Sequence, residues 1–192
     1  MSMADTKLTK SAGEQWVCSA LARLGWAAAL TRDGVERTDI LAVHADDNER
    51  RMVEIQVKTA NSTGPRTNWP LGAQQISVSD REWFVLVLLP PDPLVPPRAF
   101  VVPRDHVAAG SFISHQNWLT QPGVPEGKRN APWRQSRVEL SVWLGYENQW
   151  DLLLKPTSEA PVLLPANYRT LALEERVGLP PGHPWAADLP EW

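Results

Sequence analysis

Between residues 52 and 59 the chain reads Met52-Val53-Glu54-Ile55-Gln56-Val57-Lys58-Thr59, with apolar β-branched residues alternating with an acid, an amide and an amine. Successive side chains of a strand face opposite sides, so Glu54, Gln56 and Lys58 share one face while Val53, Ile55 and Val57 share the other. An acid and a lysine side by side suit phosphodiester hydrolysis, provided other carboxylates converge on them. Hard, oxygen-preferring Mg²⁺ is held by one or two carboxylates plus water and substrate phosphate. The metal polarises the phosphoryl oxygen and lowers the pKa of its bound water. A lysine among carboxylates keeps its proton and stabilises the charge that develops. Taken alone, the alternation also describes an ordinary solvated strand face.

Two further acids stand where they could join this face. A helix is expected from about Gly13 to Leu24, with Ser11 as a plausible N-cap and Gly25 as the residue that ends it. Val17, Cys18, Leu21 and Leu24 lie three, four, seven and ten positions after Glu14. At about 100° per residue they fall on or beside the Glu14 meridian, so Glu14 lies on the inward stripe and not only at a favourable end of the helix dipole. Asp39 opens an apolar segment that runs to His44. A hairpin pairing residues 39–44 with 51–58 would bring Asp39 close to Gln56 and Lys58.

The elements that must position these residues follow from the pattern. Trp26 to Leu30 reads as a first strand, Thr31 to Thr38 as a turn around Asp33-Gly34, and Asp46 to Arg50 as the polar hairpin turn before the strand Arg51–Thr59. Ala60 to Gly72 is rich in Gly, Pro, Asn, Ser and Thr and reads as a loop. Trp83 to Leu89 is an unbroken apolar run, the mark of a buried central strand. A proline-rich connection leads to a returning strand, Arg98–Val102. Pro103 ends it, and Asp105 is placed to cap a short helix over 106–109. Residues 143–154 have the pattern of a short amphipathic helix. The expected organisation is one domain over 8–155, with its motif core at 8–103, and a proline-rich tail over 156–192 that wraps the domain or is partly disordered, with one helix near Thr170–Val177.

In this order, Gly13-Glu14, Thr38-Asp39-Ile-Leu and Val53-Glu-Ile-Gln-Val-Lys58-Thr resemble the PD-(D/E)XK nuclease superfamily. The acid position two residues before the lysine holds Gln56, giving the Gln-x-Lys variant of Mrr-like restriction endonucleases. The resemblance implies a restriction-endonuclease-like α/β fold, with an αβββαβ core and a mixed central sheet flanked by helices. A Trp- and Pro-rich C-terminal extension would follow. It implies a divalent-metal-dependent nuclease acting on nucleic acid, DNA ahead of RNA, with Mg²⁺ or Mn²⁺ as cofactor and dimers a common working form. Asp39 and Glu54 would then be the principal metal ligands, with Glu14 assisting. Gln56 would contact the metal or the scissile phosphate, and Lys58 would stabilise the attack. The amide in the acid position equally suits a catalytically silent fold that binds nucleic acid or a protein partner.

Lys128, Arg129, Arg134 and Arg137 cluster around Trp133, and Arg66 lies in the loop after the central motif. Cations so grouped either neutralise backbone phosphates or form a solvated loop. The net charge of −3 counts against a sequence-independent coat protein for nucleic acid but leaves an enzyme with a local basic patch open. A single cysteine, Cys18, excludes an internal disulfide and fits a reducing cytoplasm. No apolar run approaches the roughly 20 residues of a membrane span. His106 and His115 read as packing residues, and no His/Cys spacing suggests zinc. Ten tryptophans, scattered along the chain, read as packing and not as a base-stacking platform.

Overall fold

Strand β3 (Met52–Asn61) pairs on both sides and forms the middle of the molecule. The computed structural model describes residues 3–32, 36–45, 49–62, 64, 66–125 and 127–192, with the side chains of 3–5 left aside. The turns expected around Asp33-Gly34 and Asp46-Asp47-Asn48 lie outside the described residues.

The protein is a mixed α/β structure. Its five-stranded sheet has the order β1 (Trp26–Leu30), β2 (Ile40–His44), β3, β5 (Glu82–Leu89), β6 (Arg98–Pro103). All neighbours are antiparallel except β3 and β5, which run parallel with Gln56 opposite Phe84 and Lys58 opposite Leu86. The apolar run of β5 is buried from Glu82 to Leu88, as an unalternating pattern requires of a strand covered on both faces. Residues 62–81, with the short strand β4 (Asn68–Pro70), make the crossover from β3 to β5, and no helix occurs there among the described residues. β4 pairs antiparallel with β7 (Arg137–Glu139) as a separate two-stranded ribbon. It brings Trp69 into the core, where the indole N–H donates to the Val87 carbonyl at 3.2 Å and the ring stands edge-on to Phe100.

Helix α1 spans Met3–Arg23, ten residues more at its start than the sequence pattern marks. Gly25, at φ 85°, ends it in the left-handed conformation where glycine is cheapest. The helix packs mainly against β1 and β3, with Val17 and Leu21 fully buried and Cys18 against the core. Gly13 is the point of closest approach. A Cβ there would lie 1.9 Å from Thr59 Oγ1, so only glycine lets the helix settle this near the strand.

Helix α2 spans Arg104–Leu119 and does not stop at residue 109. Gly110 lies inside the helix where the Trp143 ring crosses it; a Cβ would sit 2.8 Å from its Cη2. Asp105 does not cap this helix. Its carboxylate accepts the Ser77 N–H and hydroxyl, both at 2.7 Å. The amphipathic helix expected over 143–154 is replaced by short 3-10 turns at Leu144–Tyr146 and Trp150–Leu154.

Leu164, Leu171, Ala172 and Val177 are buried, and α3 (Ala166–Leu173) begins four residues before the sequence-expected helix. His183 Nε2 meets the Asp105 carbonyl at 3.0 Å, its Nδ1 accepts the Trp185 N–H at 3.2 Å, and its ring and that of His106 both pack on Trp185. No helix among the described residues is long and apolar enough to cross a membrane.

Candidate functional site

The alternation of β3 survives folding. Val53, Ile55 and Val57 are buried, and Glu54, Gln56 and Lys58 are half-exposed on the opposite face. Ile40 stands opposite Ile55, and the Asp39 N–H donates to the Ile55 carbonyl at 2.9 Å. This places Asp39 beside Gln56, where regular pairing between β2 and β3 ends. The Asp39 Oδ2 then accepts the N–H of Val57 at 2.8 Å. A carboxylate thus replaces the backbone partner that the departing strand no longer supplies.

Glu14 reaches the same place from α1. Lys10, one helical turn earlier, holds both acids: its Nζ is 3.3 Å from Glu14 Oε1 and 3.5 Å from Asp39 Oδ1. Burial raises the Glu14 pKa; Lys10 opposes the rise and the neighbouring Asp39 carboxylate adds to it, leaving Glu14 above the ordinary glutamate value. Burial pulls the Lys10 ammonium down, but Glu14 and Asp39 together outweigh it and the net shift is upward. Lys58 feels the same charges from the strand side. Its pKa is lowered, by burial first, with Asp39 opposing and Lys10 and Arg104 reinforcing. Helix α1, the start of β2 and the middle of β3 therefore converge on one cluster: Glu14, Asp39, Lys10 and Lys58.

Glu54 stands apart from that cluster in its bonding. Its carboxylate accepts the Thr38 hydroxyl at 3.2 Å, and it faces Leu41 across the β2–β3 pair. Among the described residues no group of three or more His, Cys, Asp or Glu side chains is placed to share a metal ion. Lys10 joins Glu14 and Asp39 as a pair of acids, and Glu54 is engaged by Thr38, the residue before Asp39. Two carboxylates are still within what Mg²⁺ asks of a protein, since water and substrate oxygens supply the remaining positions. Burial first, and the Asp39 carboxylate after it, raise the Glu14 pKa, and a divalent cation beside the pair would offset both. The donor set fits the ion on those terms.

Behind Gln56 lies a buried charge node that the sequence reading missed. Arg104, from the first residue of α2, is almost fully buried, and its Nε is 2.6 Å from Glu82 Oε2. The same oxygen accepts from Arg37 Nη2 at 2.7 Å, and the other accepts the Val78 N–H at 2.7 Å. Burial alone would raise the Glu82 carboxyl; Arg37, the Val78 N–H and Arg104 overcome it and hold the pKa below the usual range. The Arg104 guanidinium also lies over the Phe84 ring, donates to the Arg37 carbonyl at 2.8 Å, and donates to Gln56 Oε1 at 3.2 Å. Arg37 itself adopts φ 71°, uncommon for a residue with a side chain. The signal in sequence was faint: Glu82 sits at the head of an apolar run, and Arg104 follows a proline that reads as a strand end.

The basic segment is divided among several places. Arg129 stacks on Trp118 with its Cζ 5.1 Å from the ring centre, and donates to the Trp118 carbonyl and to Gln121. Arg137 donates to Asn68 Oδ1 at 2.7 Å across the β4–β7 ribbon. Lys128, Arg134 and Arg66 are exposed. His106 and His115 are packing residues; His106 Nδ1 is 2.8 Å from the Tyr146 hydroxyl.

No protein-family profile matches the chain, and no curated protein matches it in sequence. Among solved structures it is similar to a bacterial homing endonuclease, I-Ssp6803I, at 17% identity, over 78% of this chain and 93% of that one, with a TM-score of 0.43. At that distance the side chains, not the likeness, carry the functional reading.

Proposed function

We propose that this protein is a divalent-metal-dependent nuclease that hydrolyses phosphodiester bonds in DNA. The observation that carries the reading is the meeting of Glu14, Asp39 and Lys58, from three separate elements, where β2 leaves β3. Glu14 and Asp39 are the residues that would hold Mg²⁺ or Mn²⁺, with Glu54 a neighbouring acid engaged with Thr38. When bound, the metal would supply Lewis acidity at the scissile phosphate. Lys58, half-buried beside Asp39, stabilises the negative charge that builds on the phosphate during attack. Lys10 keeps the two carboxylates from repelling each other, and would have to give up these contacts for Glu14 and Asp39 to hold a divalent cation. Gln56 lines the same face two residues before Lys58. The exposed cations Lys128, Arg134 and Arg66 are available to contact backbone phosphates. DNA stands ahead of RNA on the resemblance to restriction enzymes.

A second reading has its own support. Lys10 already neutralises the acid pair, and Gln56 is committed to Arg104, an arrangement that suits a silent module which binds nucleic acid or a protein without turnover. One experiment separates the two. Supercoiled plasmid, linear duplex and single-stranded DNA are incubated with Mg²⁺, Mn²⁺ or EDTA, beside the Lys58→Ala variant. Cleavage that requires metal and is lost in the variant supports the nuclease. Binding without cleavage in any metal supports the silent module.

A further inference from the structure

We propose that Arg104 is a positioning residue that turns the Gln56 oxygen inward, so that Gln56 meets a nucleic-acid phosphate as a hydrogen-bond donor through Nε2 and is not a metal ligand. The inference rests on the nuclease reading and decides which of two roles Gln56 has in it.

The argument starts from what an arginine can do. A guanidinium has five N–H donors and no acceptor. The amide atom that faces Arg104 must therefore be oxygen, and the 3.2 Å contact from Nη2 to Gln56 Oε1 satisfies that requirement whichever way a free amide would turn. Arg104 itself cannot swing away. Its Nε is paired with Glu82 at 2.6 Å, its Nη2 also donates to the Arg37 carbonyl at 2.8 Å, and its plane rests on Phe84, which stands opposite Gln56 in the sheet register. Arg37, which supplies that carbonyl, is anchored in turn to Glu82, Gln75 and Ile76. With Oε1 held inward, the Gln56 NH₂ is the end left to the face it shares with Lys58. A metal ion at Oε1 would have to sit beside a guanidinium already bonded there, a like-charge contact in a poorly hydrated place. A phosphate oxygen beside Nε2 and the Lys58 ammonium meets a donor on each. This also accounts for an amide where the family pattern has an acid: a carboxylate at 56 would offer the incoming phosphate an acceptor.

Three readouts test this. First, the Gln56 side-chain NH₂ is followed by ¹⁵N relaxation, its peak assigned by loss in Gln56→Ala. It is expected to be as rigid as the backbone in the wild type and mobile in Arg104→Lys, which keeps a cation for Glu82 but loses the fork. Arg104→Ala leaves Glu82 unpaired and is used only if its backbone spectrum shows a folded protein. A mobile amide in the wild type, or an unchanged one in the folded Arg104→Lys protein, overturns the positioning role. Second, Mn²⁺ is titrated calorimetrically into the protein without DNA. Gln56→Ala is expected within about twofold of wild type, since ~1.4 kcal/mol would already be tenfold. A tenfold loss makes Gln56 a ligand and overturns the proposal. Third, the affinity for a short duplex with Ca²⁺ is measured for Gln56→Ala, Arg104→Lys and the double variant. A residue acting through Gln56 adds nothing once Gln56 is gone, whereas an independent structural effect is additive; additive losses overturn the proposal. A wild type that cleaves no DNA is a failure of the nuclease reading alone, because the amide relaxation and the Mn²⁺ titration are read without turnover.

Discussion

The Asp39 carboxylate accepts the backbone N–H of Val57 at 2.8 Å. One side chain therefore does two things: it closes the end of the β2–β3 ladder, and it holds a negative charge between Lys10, Glu14 and Lys58. The two can be separated by substitution. Asn at 39 keeps an oxygen for Val57 and loses the charge, so Asp39→Asn is expected to fold with an unchanged melting temperature and to lose cleavage by a hundredfold or more, the order seen when a preorganised charge is removed from a reacting site. Asp39→Ala also orphans the N–H and is expected to lose about 1–3 kcal/mol of stability. Thermal unfolding and plasmid nicking on the same samples check both.

Lys10 occupies the space between the two acids that a divalent cation would claim. Lys10→Met is therefore expected to bind Mn²⁺ more tightly than wild type, by calorimetry, because no ammonium competes for Glu14 and Asp39. If Lys10 were instead part of a productive metal site, the same variant would bind Mn²⁺ more weakly.

The Glu14 pKa is raised by burial and by Asp39. A carboxyl whose folded pKa exceeds its unfolded value stabilises the fold at low pH, and that contribution is lost as pH rises through the folded pKa. Metal binding needs the ionised form, so it has the opposite slope. Mn²⁺ affinity is expected to fall as pH drops through the raised Glu14 pKa. In Glu14→Gln affinity should be weaker and less dependent on pH over that window. Calorimetric titration across pH 5 to 8, about the range in which such proteins are most stable, measures it.

Gly13 sets the distance between α1 and β3. A methyl group there would meet Thr59 at 1.9 Å, and Thr59 is a short branched side chain with little room to turn aside. In an open helix Gly→Ala stabilises by about 0.5–1 kcal/mol. Here Gly13→Ala is expected to destabilise by about 1–3 kcal/mol through overpacking and to lift Lys10 and Glu14 away from Asp39. Denaturant unfolding checks the first effect and Mn²⁺ titration the second. The double variant Gly13→Ala, Thr59→Ala gains back part of both, because the hydroxyl that blocks the methyl is gone.

His106 is neutral inside the protein, with its pKa pushed down to about 3 by burial and then by His183. A depressed folded pKa means stability that is present above the unfolded value near 6.5 and is lost as pH falls from there toward 3. The melting temperature is expected to drop over that window. Because Trp185 packs on both His106 and His183, its fluorescence should report release of the C-terminal segment in the same window.

Much of the candidate site is local chemistry, and the sequence alone determined that part. Period-two alternation defines the two faces of β3 whatever surrounds it, so Gln56 and Lys58 were bound to share a face. Three- and four-residue spacing put Glu14 on the buried side of α1, and antiparallel pairing from the start of β2 brought Asp39 to Gln56. Tertiary structure decided which acids meet. A side chain's partner depends on the strand register and on how closely a helix approaches, and neither is written in residue spacing. Ile40 opposite Ile55 sets Asp39 beside Gln56, while Gly13 lets α1 bring Glu14 and Lys10 to Asp39. The Glu82–Arg104 pair was hidden for a related reason. Charged side chains are buried only where a partner is delivered from elsewhere in the chain, and here strand β5 and helix α2 deliver one to the other only after the fold has closed.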